Sequence, residues 1–441
     1  MKKTHPILIG TFILTATGIL SRIIGFFFRM FLSHSFGEEQ VGLYQLIFPI
    51  YALCISLACA GIETAISRCT ARKISLKKNS EAVQTLYLGI GISLILSFLA
   101  LIVLQTNASN ISIYILGDLR CEPMLIAISY AIPFAAIHSC ICGYYFGLKE
   151  SKIPAMSQLI EQTARVASVY IIYQFSLKHN GEPSILFAVF GLVIGEICST
   201  FFCVHIFSKR QHAKTKLSFS NLFHLGRQLV SLAVPLTSSR ILLNILQSIE
   251  SISIPLRLQA FGLSNSNALS NYGVLTGMAL PCILFPSAIT NSVATMLLPT
   301  VAEIQASRNY EKLKTLIYHI FCLCMALGLI CFAIFFFLSE WLGTFLFHSE
   351  LAGNYLKTLA WICPFLYLNA TITSIINGLG KANITFTINT IGLGIRIIGV
   401  LFFIPVIGMN GYLWGLLLSQ LITCILSLSF LSTQLKKIAS S

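Results

Sequence analysis

The stretch Ser21-Arg22-Ile23-Ile24-Gly25-Phe26-Phe27-Phe28-Arg29 lies inside an apolar run from Pro6 to Leu32. A run of that length spans a bilayer at about 1.5 Å per residue, yet it holds two arginines. At about 3.6 residues per turn, Arg22 and Arg29 share one helix face, and Gly25 between them leaves the backbone open to approach. An arginine near the middle of a lone spanning helix costs about 2.5–3.5 kcal/mol, so this face is expected to look into a protein interior or a wet cavity rather than lipid. The stretch therefore reads as the wall of an anion-handling cavity. Arg29, close to the helix end, is also placed to snorkel to the surface.

The rest of the chain is of the same character. It is 56% hydrophobic and 10% charged, with a mean hydropathy of +0.83. These values exclude an ordinary soluble domain and indicate an all-α polytopic membrane protein. About twelve spanning segments are expected, at 6–32, 41–67, 83–105, 123–147, 153–176 and 183–207, then 228–258, 270–300, 315–338, 356–377, 383–406 and 411–433. The longest link between them, from Ser208 to Gly226, carries Lys209, Arg210, Lys214 and Lys216. It divides the chain into an N-terminal six-helix lobe (1–208), a basic cytoplasmic linker (209–226) and a C-terminal six-helix lobe (227–441). Lys2 and Lys3 ahead of an apolar run superficially resemble a secretory signal, but the run continues through Phe28 and is read as an uncleaved first span.

The net charge of +14 raises the question of nucleic acid. Its placement answers otherwise. Alternate links and the termini hold twenty lysines and arginines, among them Lys2, Lys3, Arg68, Arg72, Lys73, Lys214, Lys216, Arg308, Lys436 and Lys437. The opposite links hold only four, namely Arg120, Lys178, Arg257 and Lys357. This asymmetry puts both termini in the cytoplasm and turns the excess charge toward the inner leaflet, so no nucleic-acid partner is needed. The remaining five, Arg22, Arg29, Arg165, Arg240 and Arg396, fall in helices.

The halves show an internal similarity. Gly147-Leu148-Lys149 leads through Ile153, Gln158 and Ile160 to Arg165, and Gly378-Leu379-Gly380 leads without a gap through Ile384, Asn389 and Ile391 to Arg396. Ser21-Arg22-Ile23 of the first segment likewise finds Ser239-Arg240-Ile241 in the seventh. Repeats six helices apart keep one orientation, which implies halves related by an axis along the membrane normal. Each match aligns an intramembrane arginine.

Polar stripes follow the same helices. In the seventh segment Thr237, Arg240, Asn244, Gln247, Ser248 and Ser251 recur at steps of three or four. In the fifth, Gln158, Glu161, Gln162, Arg165 and Ser168 do the same, with Glu161 placed to pair with Arg165. The eleventh offers Thr385, Asn389, Gly392 and Arg396. Such stripes either hold a bundle together by interhelical hydrogen bonds or line a cavity. Arginines outnumber acids at depth, where Glu161 and Glu196 are the deepest glutamates, and this favours an anion such as phosphate or diphosphate. Glu196 is a candidate counter-ion or proton site, and His138 is read chiefly as a packing residue. Pro49, Pro281 and Pro286 are placed to kink the second and eighth segments.

Signals for catalysis, cofactors and metals are missing from the pattern. Most of the fourteen cysteines sit singly in apolar helices, and Cys140 with Cys142 and Cys322 with Cys324 lack zinc-ribbon spacing, so neither a metal nor a cofactor is expected. Gly378 to Lys381 lacks the first glycine and the Ser or Thr of a Walker A loop. With no ATPase motif, transport is expected to run on an ion gradient or the membrane potential, which favours outward movement of one negative charge by about 2.3 kcal/mol per 100 mV.

The run Ser21 to Arg29, the segment Gly42-Leu43-Tyr44-Gln45-Leu46-Ile47-Phe48-Pro49-Ile50, the residues Ala60-Gly61-Ile62 and Ala65-Ile66-Ser67-Arg68, and Tyr272-Gly273-Val274-Leu275-Thr276-Gly277-Met278-Ala279-Leu280-Pro281 resemble the stage V sporulation protein B family of polysaccharide exporters. That family belongs to the multidrug, oligosaccharidyl-lipid and polysaccharide exporter superfamily, which includes the lipid II flippases. The resemblance extends over nearly the whole chain. It implies two six-helix lobes in a V, alternating access, and flipping of undecaprenyl-diphosphate-linked sugars within the plasma membrane. By it, Arg22 and Arg29 match first-helix arginines expected to meet the diphosphate. Many members have fourteen helices, the last two associated with the lipid tail, whereas twelve are counted here. The expected substrate-binding residues are thus Arg22, Arg29, Arg165, Arg240, Asn244, Gln247, Asn389 and Arg396, with Glu161 and Glu196 for the counter-ion or coupling role. The rival readings are a drug or cation antiporter of the same fold and a membrane glycosyl- or phosphotransferase. The latter needs a sizeable loop bearing acids, His or metal ligands, and the outward link from Gln105 to Glu122 offers only Asp118, Arg120 and Glu122.

Overall fold

The computed structural model describes residues 6–210, 219–306 and 310–439. Among them no strand occurs, and each of the twelve expected segments is helical. The helices are α1 (Pro6–Leu46), α2 (48–75), α3 (Asn79–Thr106), α4 (119–147), α5 (Lys152–Lys178) and α6 (Leu186–Arg210). Then follow α7 (Phe219–Ala260), α8 (265–306), α9 (Tyr310–Phe337), α10 (350–378), α11 (382–407) and α12 (Met409–Ala439). Short helical pieces at 108–116 and Ser339–Phe347 lie between α3 and α4 and between α9 and α10. Seven of these stretches are long and apolar enough to cross a membrane unaided, with α1 and α2 counted as one, and ten are if each bent pair is one span. Helix α5 is not among them, because its polar stripe lowers its hydropathy.

The first boundary differs from the sequence expectation. A link was expected between residues 32 and 41, but the helix runs on to Leu46, interrupted only at Gly37, whose φ of 79° no bulky residue adopts readily. The break falls instead at Ile47, and Pro49 occupies the first turn of the next helix, where its missing N–H leaves no partner wanting. The other prolines act nearer to expectation. Helix α8 bends by 58° between Leu284 and Ser287, around Pro286, and Pro281 follows a widened turn at Val274–Ala279 that takes up the strain. Helices α4 and α10 bend by 43° and 57°.

By their internal contacts the described residues fall into two units. One comprises α1 up to Phe28 with residues 43–248, and the other comprises residues 29–42 with everything from Ile249 onward. Part of the expected linker at 209–226, with Lys214 and Lys216, lies outside the described residues, as do Lys2, Lys3 and Arg308. The first unit packs Ile66, Leu86, Ile141, Tyr145 and Leu229 into its core, and the second packs Leu297, Val301, Leu368, Ile372 and Ile376. Hydrocarbon is as apolar as these side chains, so packing in a bilayer relies on close backbone approach at small residues. Gly143 of α4 shows it: a Cβ there would stand 2.5 Å from the Glu63 carbonyl oxygen of α2.

Candidate functional site

In the first unit α4, α5 and α6 gather ionisable side chains. Glu161 and Arg165, one turn apart on α5, form an ion pair with side chains 14% and 16% exposed. Helix α6 reaches this pair because Gly195 has no side chain; a Cβ on it would lie 2.8 Å from the Glu161 carbonyl oxygen. The next residue, Glu196, is buried. Its Oε2 lies 3.4 Å from His138 Nδ1 on α4, and Ser199 Oγ lies 3.3 Å from the same nitrogen. The other ring nitrogen, Nε2, is 2.9 Å from Ser157 Oγ on α5.

Donor atoms of His138, Glu161 and Glu196 all lie within 4.8 Å of one another. Tyr51 of α2 is half-buried beside these helices. Its hydroxyl and Arg165 Nε are shut off from solvent and have no hydrogen-bond partner among the described residues. Counting both carboxylates as ionised, Arg165 as charged and His138 as neutral, the group carries one formal negative charge. A proton on His138 or on a carboxylate cancels it, and so does a monovalent cation.

The polar stripe of α7 meets α2 in the same unit. Arg240 Nη2 donates to Thr64 Oγ1 at 3.4 Å, the Asn244 amide donates to Ser56 Oγ, and Ser248 Oγ donates to the Pro49 carbonyl at 3.3 Å. Ser56 opens a widened turn, Ser56–Ala60, in α2. Part of the stripe thus serves as interhelical glue, while Arg240 and Gln247 remain exposed. Arg22 is exposed as well and belongs to this unit; Arg29 is half-buried and belongs to the second. A Cβ on Gly25 would meet nothing within 4 Å, so the backbone there is open, as its residue type suggested.

In the second unit Arg396 is held. Its Nη2 lies 3.3 Å from Glu250 Oε2 on α7, and the Tyr412 hydroxyl of α12 donates to Glu250 Oε1 at 2.9 Å. Asn389 is exposed, one turn from the Gly392 carbonyl that accepts a 2.8 Å hydrogen bond from Ser419. The structure thus brings Glu161, Arg165 and Glu196 together around His138, joins Arg240 and Asn244 to α2, and ties Arg396 to a partner. Sequence reasoning missed Tyr51, Glu250 and Tyr412. The signal for the first cluster was the spacing of Glu196, Ser199 and Cys203 along one face of α6.

The family model described as "Polysaccharide biosynthesis protein" matches residues 7–305, and the MatE model matches residues 241–402. Stage V sporulation protein B of Bacillus subtilis (strain 168) is 28% identical over 408 residues, 91% of this chain and 79% of that protein. Lipid II flippase MurJ of the same strain is 23% identical over 431 residues, 90% of this chain and 77% of that protein. Among solved structures, a lipid II flippase MurJ in an inward closed conformation superposes with a TM-score of 0.73 at 16% identity, covering 96% of this chain and 89% of that one. An inward-facing multidrug resistance transporter of the MATE family gives a TM-score of 0.70 at 15% identity, covering 96% of each chain. At such identities the structures establish a shared fold.

Proposed function

This chain belongs to the polysaccharide biosynthesis protein family, and we propose that within it the protein is a flippase, carrying a polyprenyl-diphosphate-linked oligosaccharide or cell-wall precursor from the inner to the outer leaflet by alternating access. It is a multi-pass membrane protein of the superfamily that holds the MATE transporters and the lipid II flippases. The observation that carries the reading is the exposure of Arg22 and Arg240, each within the apolar sequence of its helix and both in one unit. A guanidinium facing hydrocarbon costs several kcal/mol, about 2.5–3.5 on insertion scales, so these faces are expected to be wet. A wet face bearing guanidinium groups suits a diphosphate, which each can grip through two parallel hydrogen bonds.

In this reading the membrane is the plasma membrane with both termini cytoplasmic, supported by the twenty-to-four distribution of basic residues. The His138–Glu161–Glu196 group serves as the coupling site, taking and releasing one proton or monovalent cation per cycle, alongside the membrane potential. No enzymatic step is involved. The relatives point the same way, since one is named for lipid II flipping.

A second reading, a drug or cation antiporter, is favoured by that same acid–histidine group and by the fold shared with a multidrug transporter. The two separate on one pair of variants. Flipping requires loss of transport when Arg22 and Arg240 are both replaced by glutamine. Antiport of a cation predicts retained transport in that double variant and loss in Glu196→Gln.

A further inference from the structure

His138 and Cys142 are one turn apart on α4, and Cys203 faces them from α6. The donor atoms of these three residues all lie within 4.8 Å of one another, and the two cysteines are buried. Ser157 Oγ sits among them, 2.9 Å from His138 Nε2 and 3.5 Å from Cys142 Sγ. Cysteine spacing along the chain gave no hint of this, because the two thiols come from different helices.

A tetrahedral site with about 2.3 Å to sulfur and about 2.0–2.1 Å to nitrogen sets donors roughly 3.4–3.8 Å apart. Donors already within 4.8 Å close that gap by small side-chain rotations. The outer shell is also in place. A metal-bound histidine ordinarily gives its other ring N–H to a carboxylate, and His138 Nδ1 lies 3.4 Å from Glu196 Oε2 while Nε2 points toward the thiol side.

We propose that His138, Cys142 and Cys203 form a site for one zinc-class divalent cation within the first unit. Each thiol gives up its proton to become a thiolate ligand, His138 gives the lone pair of Nε2, and a water takes the fourth position. One cation binds and two protons leave, so two thiolates and a divalent ion make a neutral group, which a membrane interior tolerates. A monovalent soft ion would leave a net negative charge there, which is why the divalent class is chosen. The site ties α4 to α6, shares His138 with the His138–Glu161–Glu196 group, and stands whether or not the flippase reading holds.

The test uses the purified full-length protein in detergent, stripped with a chelator and titrated with Co²⁺ and then Zn²⁺. The expected results are a thiolate-to-cobalt charge-transfer absorption saturating at one ion per chain, bleaching as Zn²⁺ displaces it, and release of two protons per ion read with a pH-indicator dye. Cys142→Ser with Cys203→Ser abolishes the band, Glu196→Gln weakens affinity about 10–100-fold, and Cys140→Ser, whose thiol is 3.3 Å from Ser93 instead, leaves it unchanged. A wild-type protein that elutes as a single peak yet shows no such band and releases no protons overturns the proposal. So does a band that persists in the double cysteine variant. The proton count needs no variant and so does not depend on the variants folding.

Discussion

Arg396 of α11 lies 3.3 Å from Glu250 near the end of α7, and Tyr412 of α12 completes the carboxylate's hydrogen bonding at 2.9 Å. The internal repeat aligns Arg396 with Arg165 of α5, which holds Glu161 in an ion pair. Both repeat-matched arginines are thus neutralised within their own units, by glutamates from different places in the chain. Arg22 and Arg240 are exposed, and theirs are the guanidinium groups proposed to meet an anionic substrate.

Removing one partner of a buried pair leaves an uncompensated charge and destabilises by about 3–5 kcal/mol. Arg396→Met alone is expected to do so in the second unit, and adding Glu250→Met is expected to restore much of the loss. Thermal unfolding of the purified variants, read as a double-mutant cycle, checks this. Additive losses in the cycle would mean that the pair does not interact.

The approach of α6 to α5 depends on Gly195. A Cβ placed 2.8 Å from the Glu161 carbonyl cannot be accommodated without a backbone shift. Gly195→Ala is expected to destabilise by about 1–3 kcal/mol and to separate Glu196 from His138. Unfolding midpoints measure the first effect. The second would appear as a changed His138 ring signal in NMR, and an unchanged signal with full stability would refute the packing argument.

If the His138–Glu161–Glu196 group is the coupling site, Glu196→Gln removes the charge that one proton or cation balances. Transport in this variant is expected to lose its response to an imposed proton or sodium gradient while binding of the labelled lipid is kept. Flux assays under each gradient in turn read the difference. A wild-type-like gradient response in Glu196→Gln would remove the group from the mechanism.

Charge-assisted hydrogen bonds contribute about 1.5–3 kcal/mol each, roughly 10–100-fold in affinity. Arg22→Gln and Arg240→Gln are each expected to weaken binding of a polyprenyl diphosphate by that order, measured by equilibrium binding in detergent. Neutral polyprenols should bind both variants and wild type alike.

The sequence made the helices legible because a bilayer enforces long apolar runs, and a run such as Asn79–Thr106 admits no other reading. It misplaced the first boundary because residues 33–40 look polar enough for a link, while the backbone needs only Gly37 to turn. It found the Glu161–Arg165 pair because both lie on one helix, where spacing alone fixes the contact. Glu250 with Arg396, and His138 with Glu196, join helices far apart in the chain. Periodicity shows that each residue shares a face with others on its own helix, but the partner is set by how the helices pack. The glycines that decide the packing, Gly143 and Gly195, are identifiable only once their neighbours' carbonyl groups are placed.

The most direct test of the flippase reading is translocation by the wild-type protein in proteoliposomes. A fluorescent polyprenyl-diphosphate sugar is placed in one leaflet, and its arrival in the other is followed by quenching, with and without an imposed membrane potential. The account predicts protein-dependent movement that speeds up when the potential drives negative charge across, and slows to the lipid-only rate when Arg22 and Arg240 are both glutamine. Movement no faster than in protein-free vesicles, under either condition, would contradict it.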